Sequence, residues 1–173
     1  EPRIFSFNNP FGACPNCMGL GEKLEVDPEL VTPNKNLTIA QGAIKPWASA
    51  SHKVGRQGYY YWKLSGLSAQ YNFSMDEPIK NLPVKIIEII LHGDGEFEGV
   101  IGGLERRYHS TESEWTRQEI EQYMTIRKCE QCQGRRLKPE VLAVTVGEKS
   151  IDSVCALALD QTQIFFEGLI KKI

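Results

Sequence analysis

One chemical pattern occurs twice in this sequence. Residues 14–19 (CPNCMG) and 129–134 (CEQCQG) are both Cys-x-x-Cys-x-Gly, set in "GACPNCMGLGEK" and "RKCEQCQGRRLK". Such a pair brings two thiols onto one tight turn. There they either exchange with a disulfide or, as thiolates, coordinate a soft metal ion. A thioredoxin-like redox pair needs a strand running into a helix, whereas Cys14 follows the turn formers Asn8, Asn9, Pro10 and Gly12. Two chance pairs without metal form a third reading, set against the exact repetition of the pattern. Two knuckles of two thiolates supply the four ligands of a tetrahedral zinc site, so the pattern points to one structural Zn2+ on Cys14, Cys17, Cys129 and Cys132.

The spacing is unusual. Between Cys17 and Cys129 lie 111 residues, against roughly 12 to 20 in compact zinc modules. Loop closure costs only about 0.6 kcal/mol per doubling of length, while structural zinc contributes on the order of 10 kcal/mol. A folded insertion that returns its own ends to the metal satisfies both magnitudes.

The remaining chemistry-bearing residues are less specific. Cys155 sits in an apolar segment without a sequence partner and reads as a buried structural thiol. His52 and His109 fall in polar loops and His92 ends a helix, none at ligand spacing from a cysteine. No Ser/His/Asp arrangement, paired catalytic carboxylates or Walker-type glycine loop occurs in the sequence, so the chain alone reads as non-enzymatic. Basic residues cluster: Arg127, Lys128, Arg135, Arg136 and Lys138 surround the second pair, Arg106 and Arg107 precede Tyr108, and Lys53 and Arg56 precede Tyr59, Tyr60, Tyr61 and Trp62. Cations beside aromatic rings suit nucleic-acid backbones and bases; solvated charge around a knuckle and aromatic core residues produce the same pattern.

The elements that must position these residues follow from patterning. The 173 residues carry 41% hydrophobic and 24% charged residues with a formal charge of -2, an ordinary globular composition in which any anion affinity must be local. The longest apolar stretch, "VKIIEIIL", is interrupted by Lys85 and Glu88, too short for a membrane span. Five cysteines without secretory features fit a reducing, cytoplasmic setting. The opening "EPRIFSFNNP", with neither an initiator Met nor a signal-peptide layout, reads as the start of a piece of a longer protein.

"KLEV" alternates as a strand, and residues 27–57 read as loop with strand character at "LTIA". "GYYYWKLSGLSAQYNF" forms a helix with Tyr60, Leu64, Leu67 and Tyr71 on one face, and "PVKIIEIILHG" forms another with Val84, Ile87 and Leu91 aligned. The glycine-rich "GDGEFEGVIGGLERRYHSTES" reads as loop. "STESEWTRQEIEQYM" then starts with a capping box and presents Trp115, Ile120 and Tyr123, a helix directed at Cys129. "EVLAVTVGEKSI" reads as a hairpin turning at Gly147-Glu148, followed by helices in "SIDSVCALAL", with Val154, Cys155 and Leu157 inward, and "DQTQIFFEGLIKKI", which ends on two lysines. The expected class is α+β: a small zinc-ribbon-like module over 1-22 and 126-173, a mostly helical inserted domain over 23-125, and a C-terminal hairpin plus helices.

"EPRIFSFNNPFGACPNCMGLG", "GVIGGLERRYHSTES" and "RKCEQCQGRRLKPEVLAV" together resemble the UvrA family, the ATP-hydrolysing damage-recognition proteins of bacterial nucleotide excision repair. The resemblance covers essentially the whole chain. It implies an internal piece of the N-terminal half: part of the first signature domain, its zinc module, and an insertion domain near bound DNA. It implies as partners a damaged DNA duplex, the rest of the family's polypeptide and its dimer, and UvrB, the last through a region absent here, with no membrane. ATP would belong to the full-length parent, because the Walker A lysine loop and the Ser-Gly-Gly signature motif are absent. Family members carry a longer strand-forming segment where this chain reads "LHGDGEFEGV". "CPNCMGLG" also fits the Cys-x-x-Cys-x-Gly-x-Gly repeat of the chaperone DnaJ family, which leaves a chaperone-like zinc-binding interaction domain and a purely structural insertion as alternatives.

Overall fold

The computed structural model describes residues 1–50 and 59–170, and the chain divides into two compact units. One comprises Glu1–Lys23 with Ile126–Ile173, the other Leu24–Thr125. The class is α+β, with two small two-stranded sheets among the helices. The first sheet pairs β1 (Glu22–Val26) with β2 (Met124–Lys128).

The larger unit is helical: α1 (Pro28–Val31), α2 (Lys45–Ala50), α3 (Tyr59–Tyr71), α4 (Val84–His92), α5 (Gly99–Ser110) and α6 (Glu114–Glu121). Asp27 organises its base. The Asp27 carboxylate accepts the Glu29 N–H at 2.9 Å and so caps α1, its own N–H donates to the Tyr123 carbonyl, and Thr125 donates its hydroxyl to the second carboxylate oxygen. Leu64 and Leu67 of α3 are buried as their spacing predicts. On α4 the inward face is Ile86, Ile89 and Ile90, an i, i+3, i+4 set, while Val84 is 72% exposed. Of the aligned set Val84, Ile87 and Leu91, Leu91 is buried and Ile87 packs partly buried against the same core, so only Val84 falls off the inward face, which Ile86 and Ile90 widen. Burial of Leu64, Ile79, Ile90, Val31 and Val100 contributes about 1.5 to 3 kcal/mol each.

Several expectations are corrected. The glycine-rich stretch is helical over α5, because Val100, Ile101 and Leu104 bury against α4 and outweigh the glycine propensity cost. Gly99 makes the approach possible: at φ +79° it starts α5 where a Cβ would lie 2.5 Å from the Gly93 nitrogen. His109 thus lies on a helix. In "LTIA" the strand character is confined to Thr38, which forms an isolated antiparallel bridge with Pro78, and a 3-10 turn over Ile39–Gln41 follows because Thr38 and Gln41 complete a capping box. Capping of α6 falls on Ser113, whose hydroxyl accepts the Thr116 N–H, and Trp115 is 67% exposed. Strand β2, not that helix, leads to Cys129.

In the smaller unit Pro139 starts a short helix, α7 (Pro139–Leu142), where a strand is expected from the alternation. The hairpin is shorter, β3 (Thr145–Val146) with β4 (Lys149–Ser150), antiparallel and turning at Gly147-Glu148 with φ of 55° and 66°. Then follow α8 (Ile151–Cys155) and α9 (Leu159–Ile170). Cys155 is exposed, facing away from the partly buried Ile151 and Val154. The terminal lysines and residues Lys53, Arg56 and His52 lie outside the described residues. Among the described residues no helix is long and apolar enough to cross a membrane.

Candidate metal centre and basic surface

The four cysteines of the smaller unit meet. Their sulfurs all lie within 4.8 Å of one another, Cys14 to Cys129 at 3.9 Å and Cys17 to Cys132 at 3.7 Å, and all four are buried. A tetrahedron with metal–sulfur bonds of about 2.3 Å has sulfur–sulfur edges of roughly 3.8 Å. The donor set therefore fits a tetrahedral thiolate-bound ion.

The two knuckles are built alike. Met18 and Gly19 take φ of 51° and 82°, and Gln133 and Gly134 take 51° and 83°. In each, the residue after the glycine donates its N–H to the second cysteine's carbonyl: Leu20 to Cys17 at 3.0 Å, Arg135 to Cys132 at 2.9 Å. Glycine is required at 19 for a further reason, since a Cβ would stand 1.8 Å from the Phe7 carbonyl oxygen. The knuckles also clasp each other: the Cys14 N–H donates to the Arg136 carbonyl at 2.8 Å and the Cys129 N–H to the Gly21 carbonyl at 2.9 Å. Gly21 donates its own N–H to the Cys17 sulfur at 3.2 Å.

The electrostatics follow from these donors. The backbone N–H of Cys132, with other donors, lowers the Cys129 thiol to about 6, while burial pushes Cys132 up to about 11. Cys129 therefore ionises more readily than Cys132, and four buried thiolates this close would require a cation among them. The apolar core of this unit is small. Besides the cysteines it is built on Ala13, Leu137, Val141 and Leu142, with Ile4, Phe5, Phe7 and Ile151 at its margin.

Sequence reasoning missed two neighbours of the sulfurs. Asn16 donates its amide to the Cys129 sulfur at 3.4 Å, and the Gln131 amide oxygen lies 3.7 Å from the Cys14 sulfur. Both stand two residues after the first cysteine of their knuckle, a match visible when the motifs are superposed.

The basic residues divide by what they touch. Arg135 pairs with Asp152 at 2.7 Å; burial raises that carboxyl, but hydrogen bonds from Arg135 and Ser150 outweigh it and leave it below the usual carboxylate range. Arg136 donates to the Gly19 carbonyl at 2.7 Å and lies 4.4 Å over the Phe7 ring. Lys138 donates to the carbonyls of Pro10 and Phe11. Arg127 and Lys128 are exposed on β2. In the larger unit, Arg106 forks onto Glu98 at 2.6 and 3.0 Å and Arg107 is exposed.

The family sequence model described as the UvrA DNA-binding domain matches residues 27–122, more than half of the chain. The chain belongs to the UvrA family. It is 42% identical to the UvrABC system protein A of Halalkalibacterium halodurans, covering 98% of this chain and 19% of that protein. The protein of the same description from Bradyrhizobium diazoefficiens is 44% identical over 96% of this chain and 18% of its own length. The fold resembles the crystal structure of UvrA2 from Deinococcus radiodurans, with a TM-score of 0.72 at 24% identity, covering 95% of this chain and 23% of that one. The chain thus spans about a fifth of the length of the UvrA relatives it matches. The alignment with the H. halodurans protein runs over 189 positions against 173 residues, so at least 16 positions stand opposite gaps in this chain.

Proposed function

We propose that this chain is the zinc-stapled, DNA-engaging module of a UvrA-type damage-recognition ATPase in nucleotide excision repair. The observation that carries the reading is the reciprocal four-cysteine clasp in a chain whose other unit matches the UvrA DNA-binding domain. Cys14, Cys17, Cys129 and Cys132 would hold one Zn2+. The bound ion would neutralise their charge and supply the folding energy that a small apolar core lacks. The module is non-catalytic; ATP hydrolysis, dimerisation and UvrB loading belong to the remainder of a full-length cytoplasmic protein acting on damaged duplex.

The exposed cations Arg107 and Lys128 steer phosphate, while Arg106, Arg135, Arg136 and Lys138 hold local structure. Lys53 and Arg56 join the candidate DNA contacts on sequence grounds. The test measures zinc per chain and fluorescence anisotropy on a labelled duplex. One zinc per chain, lost in Cys129→Ser, and affinity falling by about 0.9 log units per decade of salt for each phosphate contact are expected. Zinc content unaffected by Cys129→Ser, or DNA affinity independent of salt, would sink the reading.

A further inference from the structure

The larger unit holds a cleft of about 160 Å3 at the start of α5. Trp47 of α2 and Tyr60 of α3 line it as a stacked pair, ring centroids 4.4 Å apart and planes 8° from parallel. Gly103 contributes bare helix surface, since among the described residues a Cβ there would meet nothing nearer than the Glu98 carboxylate at 3.6 Å. Glu98 forks onto Arg106 and is lowered first by that hydrogen bond, with a smaller effect from Lys63. The pair satisfies itself, and the exposed Arg107 lines the same cleft.

An aromatic stack, a guanidinium and an uncovered strip of backbone together recognise a flat π-system that carries an anion. The volume falls below the roughly 300 to 1,000 Å3 of sites that enclose a whole cofactor. It matches a single base. Bases of an intact duplex are paired and stacked, so a base reaches such a cleft only once extrahelical, at least cost where pairing is already defective. Resting on the DNA-binding reading above, we infer that this cleft receives one extrahelical base of a DNA strand, the base extending the Trp47–Tyr60 stack and its phosphate meeting Arg107. The site thereby distinguishes defective from intact duplex.

The test uses the zinc-loaded full chain with a labelled paired duplex, the same duplex bearing one unpaired adenine, and free dAMP as competitor. The bulged duplex binds about tenfold tighter, within the range of one base–aromatic stack. Tyr60→Leu and Gly103→Leu, the second plugging the cleft without removing any polar group, each cut that preference below about twofold and leave paired-duplex affinity unchanged. Tyr60→Phe keeps the preference, and Arg107→Ala weakens the bulged duplex most. Equal affinity of the wild type for both duplexes, or a preference surviving both leucine variants, overturns the cleft while DNA binding stands. Failure to bind either duplex removes both. Competition by dAMP at the concentrations effective for the bulged duplex overturns the assignment to a DNA strand and reassigns the cleft to free nucleotide.

Discussion

Gly21 and Arg136 occupy the same place in the two knuckles. Each lies four residues after its second cysteine, each takes a left-handed φ (85° and 73°), and the carbonyl of each accepts the N–H of the opposite knuckle's first cysteine. The repeat Cys-x-x-Cys-x-Gly-x-Gly is thus complete in backbone geometry although its last glycine is an arginine in the second copy. What holds the arginine there is its side chain, bonded to the Gly19 carbonyl and lying over Phe7.

Arg136→Gly should therefore be nearly neutral. Relief of the left-handed strain gives back about 1 kcal/mol. Loss of the ring contact and hydrogen bond costs a similar amount. Arg136→Val removes the same contacts and adds a β-branched side chain at positive φ, so it should destabilise by about 2 kcal/mol or more. Denaturant unfolding of the zinc-loaded chain measures both. Equal losses for Gly and Val would show that backbone conformation at 136 does not matter.

Asn16 and Gln131 make a second equivalent pair, each facing a sulfur of the opposite knuckle. An ionised sulfur attracts an N–H and repels a carboxylate. Asn16→Asp reverses an N–H donation to sulfur, Gln131→Glu puts a charged oxygen where a neutral amide oxygen faces the Cys14 sulfur, and each should weaken zinc binding by about 10- to 100-fold. Competition with a chromophoric chelator reads this directly; affinities unchanged in both variants would mean that these amides do not act on the sulfurs.

The sequence made the four-cysteine cluster legible because each Cys-x-x-Cys-x-Gly pair is encoded in six consecutive residues, and the repeated pattern singled out Cys14, Cys17, Cys129 and Cys132, which the fold brings together. The helices α3 and α4 were legible from periodicity, although the buried face of α4 was set by Ile86 and Ile90 rather than Val84. Helix α5 was hidden because local propensity at Gly99, Gly102 and Gly103 opposes it, and only packing of Val100, Ile101 and Leu104 against α4 overrides that. The internal partners of Arg135, Arg136 and Lys138 were illegible for a different reason. Asp152, Gly19, Phe7 and Pro10 are distant in sequence and meet them only in the folded unit.

Acid should loosen the larger unit through Asp94. Its carboxylate closes the α4–α5 turn, accepting the Phe97 N–H at 2.7 Å, the Glu96 N–H at 3.0 Å and the Tyr71 hydroxyl at 2.7 Å. Foremost the Phe97 N–H, then Tyr71, holds Asp94 below the usual carboxylate range. A group lowered by folding contributes stability above its unfolded value of about 4, and that contribution disappears as pH falls through the lower folded value. All three tryptophans, Trp47, Trp62 and Trp115, lie in this unit, so their fluorescence follows it separately from the cysteines. Melting monitored this way should be flat near neutrality and fall below about pH 4. Asp94→Asn should melt lower at pH 7 with a shallower acid decline; an acid limb identical to wild type would exclude Asp94.

The division among the cations yields the last prediction. Lys128 is exposed on β2, whereas Arg135 is committed to Asp152, whose side chain is only 14% exposed. Replacing a phosphate contact lowers the salt slope of DNA binding by about 1 and weakens all sequences alike. Replacing one side of a partly covered ion pair costs about 1 kcal/mol of stability instead. Lys128→Ala should therefore change the salt slope of duplex binding and leave unfolding untouched, while Arg135→Ala should lower the unfolding midpoint and leave the slope unchanged. Anisotropy titrations at several salt concentrations, paired with denaturant unfolding, separate the two. The opposite assignment, a slope change in Arg135→Ala with stability intact, would mean that Arg135 leaves Asp152 to meet a phosphate.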